Sequence, residues 1–415
     1  MRRLSLVCWA VIGMMVCWCD GAGANIVLRA PYFQGLGDLP GGEFYSFAHA
    51  VSADGTTVVG HSYQGFGEEE AFRWTAAGGM QGLGHLAGGL ARRSDAYGVS
   101  ADGSVIVGES TSTGAPTLAE AFRWTSTDGL QPLGFLPGGI GYSRAQGVSA
   151  NGETVAGWSY SGSGTGLLPT EAFRWTSAAG IQGLGDLRGG VFNSYASGVS
   201  GDGSTVVGMG SIIEGRAVRW TAAGLQSLGV LPGGTRSFAT AASYDGSVIV
   251  GDGDFSDRTE AFRWTSAGGM QGLGVPPGGI VSRAAAVNGD GSVIVGHTAT
   301  LAGGDAMIWD QRRGMRSIAA ILSASAALPT GWTLLSATGV SADGRTIVGY
   351  GVNPAGETEA WIAVIPEPSS LAMAALALAP LRRRRTAAGG WRDRGMTFAN
   401  RATPGDAART AWRSG

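Results

Sequence analysis

Lysine is missing from this 415-residue chain, so all 29 basic residues are arginine. Without lysine, and with no helix expected after them, the Leu-Pro-Gly-Gly segments cannot be phosphate-binding loops of the P-loop kind. Cysteine is almost as scarce: Cys8, Cys17 and Cys19 are the whole complement, all near the N-terminus. Everything beyond them therefore lacks a thiol, a disulfide and any cysteine-based metal site. Charge is sparse at 14%. Between residues 25 and 381, 18 arginines face 28 acidic residues, a net charge of about −10. A body of that sign repels polyanions, so no nucleic acid partner is expected.

What is present points one way. Glycine numbers 73, and 44% of residues are hydrophobic, which fits either low-complexity disorder or an all-β fold with many tight turns. Thirteen Trp and thirteen Phe, mostly at regular spacing, decide for the repeated β core. The first residues read as a signal peptide, 1–24. Arg2 and Arg3 precede an apolar stretch, Leu4 to Trp18, too short to span a bilayer comfortably, and Ala22-Gly23-Ala24 offers a cleavage site before Asn25.

Three motifs recur. Glu-Ala-Phe-Arg-Trp stands at Glu70–Trp74, Glu120–Trp124, Glu171–Trp175 and Glu260–Trp264, with variants ending at Trp220, Trp309 and Trp361. A turn motif places its acid or amide at Asp54, Asp102, Asn151, Asp202, Asp245, Asp290 and Asp343. A Met-Gln-Gly-Leu-Gly type recurs from Phe33 to Met315. Asp-Gly is a strong hairpin signal, and each unit accommodates four antiparallel strands over the length of one propeller blade. In the second unit these are 94–101, 104–111, 120–126 and 130–136.

The last unit stops without a fourth strand, while 33–39 supplies an orphan one. The expectation is an all-β, seven-bladed β-propeller of four-stranded antiparallel blades over 25–365, its N-terminal strand completing the last blade. Alanine sits six residues before each turn acid (Ala48, Ala96, Ala145 and onward), as suits a crowded innermost strand. The alternate positions, Phe47, Asp95, Arg144 and Tyr195, vary freely. Specificity is expected there.

These motifs resemble the HAF-repeat family of extracellular proteins, with Glu-Ala-Phe in place of His-Ala-Phe, over about residues 33–363. That resemblance implies a repeat type and no defined activity. The segment Pro366-Glu367-Pro368, an apolar stretch at 371–381 and the cluster Arg382, Arg383, Arg384 and Arg385 resemble a PEP-CTERM sorting signal. The resemblance implies a short membrane segment over 366–385, a processing protease and membrane as export partners, and delivery to the cell surface or extracellular matrix. A polar tail at 386–415 is expected to be disordered.

No catalytic set, metal site or cofactor is legible. His49, His61, His85 and His297 lack metal-ligand spacing, and the turn acids are accounted for by turn geometry. Variable loops between second and third strands are the expected ligand face, with Glu68, Glu69, Glu70 and Trp158 on it. The function expected is therefore a non-enzymatic, monomeric binding or structural propeller for a glycan, matrix polymer or protein. The alternative is a secreted propeller hydrolase or lyase acting on polysaccharide, which needs converging carboxylates or His at the central mouth.

Overall fold

A computed structural model of the chain describes residues 27–365, apart from 66, 114, 116–117, 164–168, 212–214 and 301–302, and two short strands before them. Those two, Cys8–Val11 and Met14–Cys17, pair with Val27–Arg29 in a separate three-stranded antiparallel sheet. Ala22, Ala24, Asn25, the sorting residues Pro366 to Arg385 and the tail lie outside the described residues. Among those described, no helix is long and apolar enough to cross a membrane.

Each repeat is organised by its Asp-Gly turn, Asn-Gly in the third. In the first, Ser52 Oγ donates to Asp54 Oδ1 at 2.6 Å and accepts from Thr57 N at 3.0 Å, while Oδ1 accepts from Thr56 N at 3.0 Å. The following Gly55 has φ +74°, a conformation glycine enters without strain. The same Ser–Asp pairing recurs at Ser100–Asp102, Ser200–Asp202, Ser243–Asp245 and Ser341–Asp343. These carboxylates serve the turn, as their chemistry predicts.

The strands assemble into four-stranded antiparallel sheets, one per repeat in chain order. Five stand alone among the described residues, and the fifth and sixth repeats share an eight-stranded sheet through a single parallel pairing, Thr259 with Val281. The second repeat pairs Ser94–Val99, Val105–Ser110, Glu120–Thr125 and Gly129–Gly134. In the last repeat the fourth position is filled by Tyr32–Gly35, which pairs antiparallel with Thr358–Val364.

Cores form between adjacent sheets. Phe72, Phe122, Phe173 and Phe262 of the Glu-Ala-Phe motif are fully buried, and Val107 and Ala121 of the second repeat pack with Ala145, Val155 and Phe173 of the third. A buried serine at or near the start of the first strand stitches sheets together in the first six repeats. Ser143 Oγ donates to Gly134 O at 2.7 Å and accepts from Ala121 N at 2.9 Å, and Ser46 does the same for Gly37 and Ala360 across the chain ends. The turns close a second circuit: Ala53 N donates to Ala101 O, Ala101 N to Ala150 O, Ala150 N to Gly201 O, Asp202 N to Tyr244 O, Tyr244 N to Gly289 O, Gly289 N to Ala342 O, and Ala342 N back to Ala53 O.

One helix, Ile318–Ala324, departs from the all-strand expectation. Ser317 caps it by accepting from Ala320 N at 3.2 Å, and Ile318 and Leu322 are buried beside Trp361 and Leu334.

Candidate functional site

Every first strand carries a β-bulge, and the bulge builds the site. The register slips between Ala48 and Ala50, and at the matching point in each later repeat, leaving His49, Tyr97, Gln146, Ser197, Thr240, Ala285 and Thr338 without a cross-strand partner. A bulge re-aims the residue it inserts. All of these side chains line one cavity of about 360 Å³ walled by the first strands. The bulge also needs a glycine opposite it: a Cβ on Gly60 would lie 1.8 Å from Phe47 O, and one on Gly108 1.9 Å from Asp95 O.

Next to the bulge, cross-strand pairs ring the cavity at the end away from the Asp-Gly turns: Phe47 with His61, Asp95 with Glu109, Arg144 with Trp158, Phe238 with Asp252, and Arg283 with His297. The second-strand member of one repeat meets the first-strand member of the next. His61 Nδ1 lies 3.1 Å from Asp95 Oδ1, Arg144 Nε donates to Glu109 Oε2 at 2.8 Å, and Trp158 packs edge-on against Tyr195 at 5.1 Å. Tyr350 of the last repeat meets Phe47 of the first at 4.5 Å.

The polar centre lies between the first three repeats. His49 Nε2 and His61 Nδ1 are 3.1 Å apart, and Asp95 Oδ1 is 3.3 Å from the former. Burial alone would raise the Asp95 pKa, but the charge of His49 and contacts from both imidazoles hold it well below the usual carboxylate range. Burial disfavours the charged form of His61, and Asp95 outweighs it, so His61 takes up its proton more readily than free histidine. Tyr97 Oη and Tyr142 Oη donate to Glu109 at 3.2 and 3.0 Å. Burial pushes the Tyr142 hydroxyl up to about 12.

Beside this centre stands an aromatic shelf. Tyr142 stacks on Trp158 at 4.9 Å, Tyr160 lies 6.2 Å from Trp158, and the Arg144 guanidinium sits 4.7 Å over the Tyr97 ring. In the fifth repeat, burial pushes the Asp252 carboxyl up to about 6, against the pull of Arg283.

The residues expected on the ligand face divide. Trp158 is the middle of the aromatic shelf. Glu69 is near the centre but committed to Arg93 at 2.8 Å. Glu70 is structural, accepting from Gly84 N at 2.8 Å, a role that Glu171 and Glu260 repeat at Gly185 and Gly274. Glu68 opens its strand opposite Gly65. The cluster of His49, His61, Asp95 and Glu109 was not legible as a site, although Asp95 and Arg144 belong to the alternate positions singled out for specificity.

No family model and no curated protein sequence matches the chain. Solved structures do. An oligogalacturonate lyase from Vibrio parahaemolyticus superposes with TM-score 0.51 at 10% identity, covering 82% of this chain and 98% of that one. An acylaminoacyl peptidase gives TM-score 0.51 at 8% identity, covering 80% of this chain and 54% of the peptidase. TolB from Acinetobacter baumannii gives TM-score 0.37 at 13% identity, covering 61% of this chain and 57% of that one. The chain thus spans little more than half of the last two. At these identities the likeness shows the fold, a β-propeller.

The expectation of a non-enzymatic binding or structural propeller is corrected. Two structures that share the fold at TM-score 0.51 are a lyase and a peptidase by their titles. The mouth also carries the converging histidines and carboxylates whose apparent absence had motivated that expectation.

Proposed function

We propose that this protein is a secreted, polysaccharide-acting enzyme, a hydrolase or lyase, whose active site is the mouth of the axial cavity. One observation carries the reading: an acid–base cluster and an aromatic shelf share that mouth. Asp95 and Glu109 are cross-strand partners, which puts their Cβ atoms ~5 Å apart. His61, held by Asp95, can move a proton near neutral pH. Arg144, paired with Glu109, brings positive charge beside Trp158, whose indole offers a flat apolar face to a pyranose ring. The likeness to an oligogalacturonate lyase is compatible with this and rests on fold.

The same proposal takes the scaffold as seven blades closed by Tyr32–Gly35. The closed circuit of turn hydrogen bonds and the pairing of the chain's two ends support that count. It takes the chain as a HAF-repeat protein exported by its N-terminal signal and sorted to the cell surface through Pro366–Pro368 and Arg382–Arg385. A fractionation in which alanine at those four arginines leaves surface display unchanged would remove the sorting part.

The test is digestion of a panel of neutral and uronate-containing polysaccharides by the full chain. New reducing ends alone indicate hydrolysis, and new ends carrying a conjugated C=C absorbance indicate elimination. We expect His61→Ala and Glu109→Gln to lower kcat at least 100-fold and Trp158→Ala to act mainly on KM. Absence of both products across the panel sinks the proposal.

A further inference from the structure

We propose that His49 Nε2, His61 Nδ1 and Asp95 Oδ1 form a binding site for one divalent transition-metal ion at the mouth of the axial cavity. Their separations are 3.1, 3.1 and 3.3 Å. Donors about 2.0–2.1 Å from a common centre lie about 2.8–3.4 Å from one another, between the octahedral and tetrahedral limits. The triangle therefore matches one face of a coordination shell. Two nitrogens and one carboxylate oxygen form the two-histidine, one-carboxylate set that suits zinc, iron, cobalt or manganese and disfavours calcium and magnesium, which prefer all-oxygen shells.

A second observation comes from Asp95. The residue is 9% exposed, and its Oδ1 has no hydrogen-bond partner, although both imidazoles are beside it. A buried carboxylate oxygen without a bonded donor is costly. Neighbouring carboxylates have a cation already: Glu69 is paired with Arg93, and Glu109 with Arg144. Asp95 faces the two histidines and the Tyr97 hydroxyl with no arginine paired to it, and a bound cation would complete it.

The fold holds the triangle in place. His49 is the inserted residue of its bulge, His61 follows Gly60 on the paired strand, and Asp95 reaches in from the next sheet. His49 also lines the axial cavity, so the remaining coordination positions face open space that a water or ligand oxygen can enter. This inference concerns binding of the ion alone; with the ion bound, His61 Nδ1 and Asp95 are ligands, and the proton-moving role given to His61 belongs to the metal-free protein.

The test uses the full chain stripped with a chelator and titrated with Zn²⁺, Co²⁺, Mn²⁺ and Ca²⁺. Calorimetry and elemental analysis should give one transition-metal ion per chain, with a raised Tm and visible absorption for the Co²⁺ form. His49→Ala, His61→Ala and the near-isosteric Asp95→Asn should each weaken binding at least tenfold, while His297→Ala from the sixth repeat keeps it. Circular dichroism and the Tm of the metal-free variants establish that they fold. Failure to bind, binding that all three variants retain, or a preference for Ca²⁺ over Zn²⁺ overturns the site. A chain that binds the ion yet cleaves no polysaccharide overturns the enzymatic reading and leaves the site standing.

Discussion

At the scale of the residue, burial decides how the ring around the mouth titrates. Asp252 is 8% exposed and carries a carboxyl raised to about 6 from an ordinary value near 4. Its folded-state value lies above the unfolded one, so it imposes no penalty below about pH 4. Stability is lost as pH rises through about 6, when the buried group must ionise. Asp252→Asn should match the wild type at pH 4 and exceed it at pH 7.5 by about 2–3 kcal/mol, read as a Tm gap that opens with pH. A gap constant across that range refutes the assignment. The glycine facing the bulge is a second case. Gly108→Ala would set a methyl 1.9 Å from Asp95 O, and should cost about 1–3 kcal/mol while displacing Asp95; an unchanged Tm and unchanged metal affinity would contradict the close approach. The sequence showed that positions 47, 95, 144 and 195 vary but not that Phe47 and Asp95 converge with His49 and His61. A bulge adds one residue to a strand without altering its composition, and the third ligand comes from another repeat. Neither leaves a local pattern.

At the scale of the element, the strands and turns were readable because each rests on local chemistry. Asp-Gly sets the hairpin, and alternating Ala on the first strand marks its crowded face. The expected strand 94–101 is observed as Ser94–Val99, and 104–111 as Val105–Ser110. Helix Ile318–Ala324 was not readable: it is two turns of Ala, Ile, Leu and Ser whose burial depends on Trp361 and Leu334, distant in sequence. The serine near the start of the first strand was not singled out, though it stands eight residues before the turn acid or amide in six of the seven repeats, Leu335 replacing it in the last. Ser143→Ala should leave Ala121 N–H buried without an acceptor and cost about 1–3 kcal/mol, measured by denaturant unfolding. Ser143→Thr, which keeps the hydroxyl, separates the lost bond from altered packing, and an alanine variant as stable as wild type would show that the stitch is dispensable.

At the scale of the molecule, the sheet that joins the two ends is the point on which closure depends. Removing Tyr32–Gly35 would uncover the edge of Thr358–Val364, whose Trp361, Ile362 and Ala363 are buried. An exposed apolar edge strand templates pairing with other chains. We expect a chain beginning at residue 44 to self-associate in light scattering. A circular permutant opened at the 112–119 loop, with that strand retained, should stay monodisperse. Equal behaviour of the two would refute the role given to the strand. The repeat count and the orphan strand made this legible, since one surplus and one missing strand of the same motif invite pairing.

The pairing of Tyr32 with Val364 also has a consequence for orientation. Ile365 N donates to Arg345 O just past the Asp343-Gly344 turn, so the chain leaves the last sheet on the turn side. Tyr32, opposite Val364, enters there too. Both flanks attach at one point on the surface opposite the cavity mouth. Entry and exit of the strand pair at that end leave the rim of the cavity free of both, so lengthening either flank should not alter access to the site.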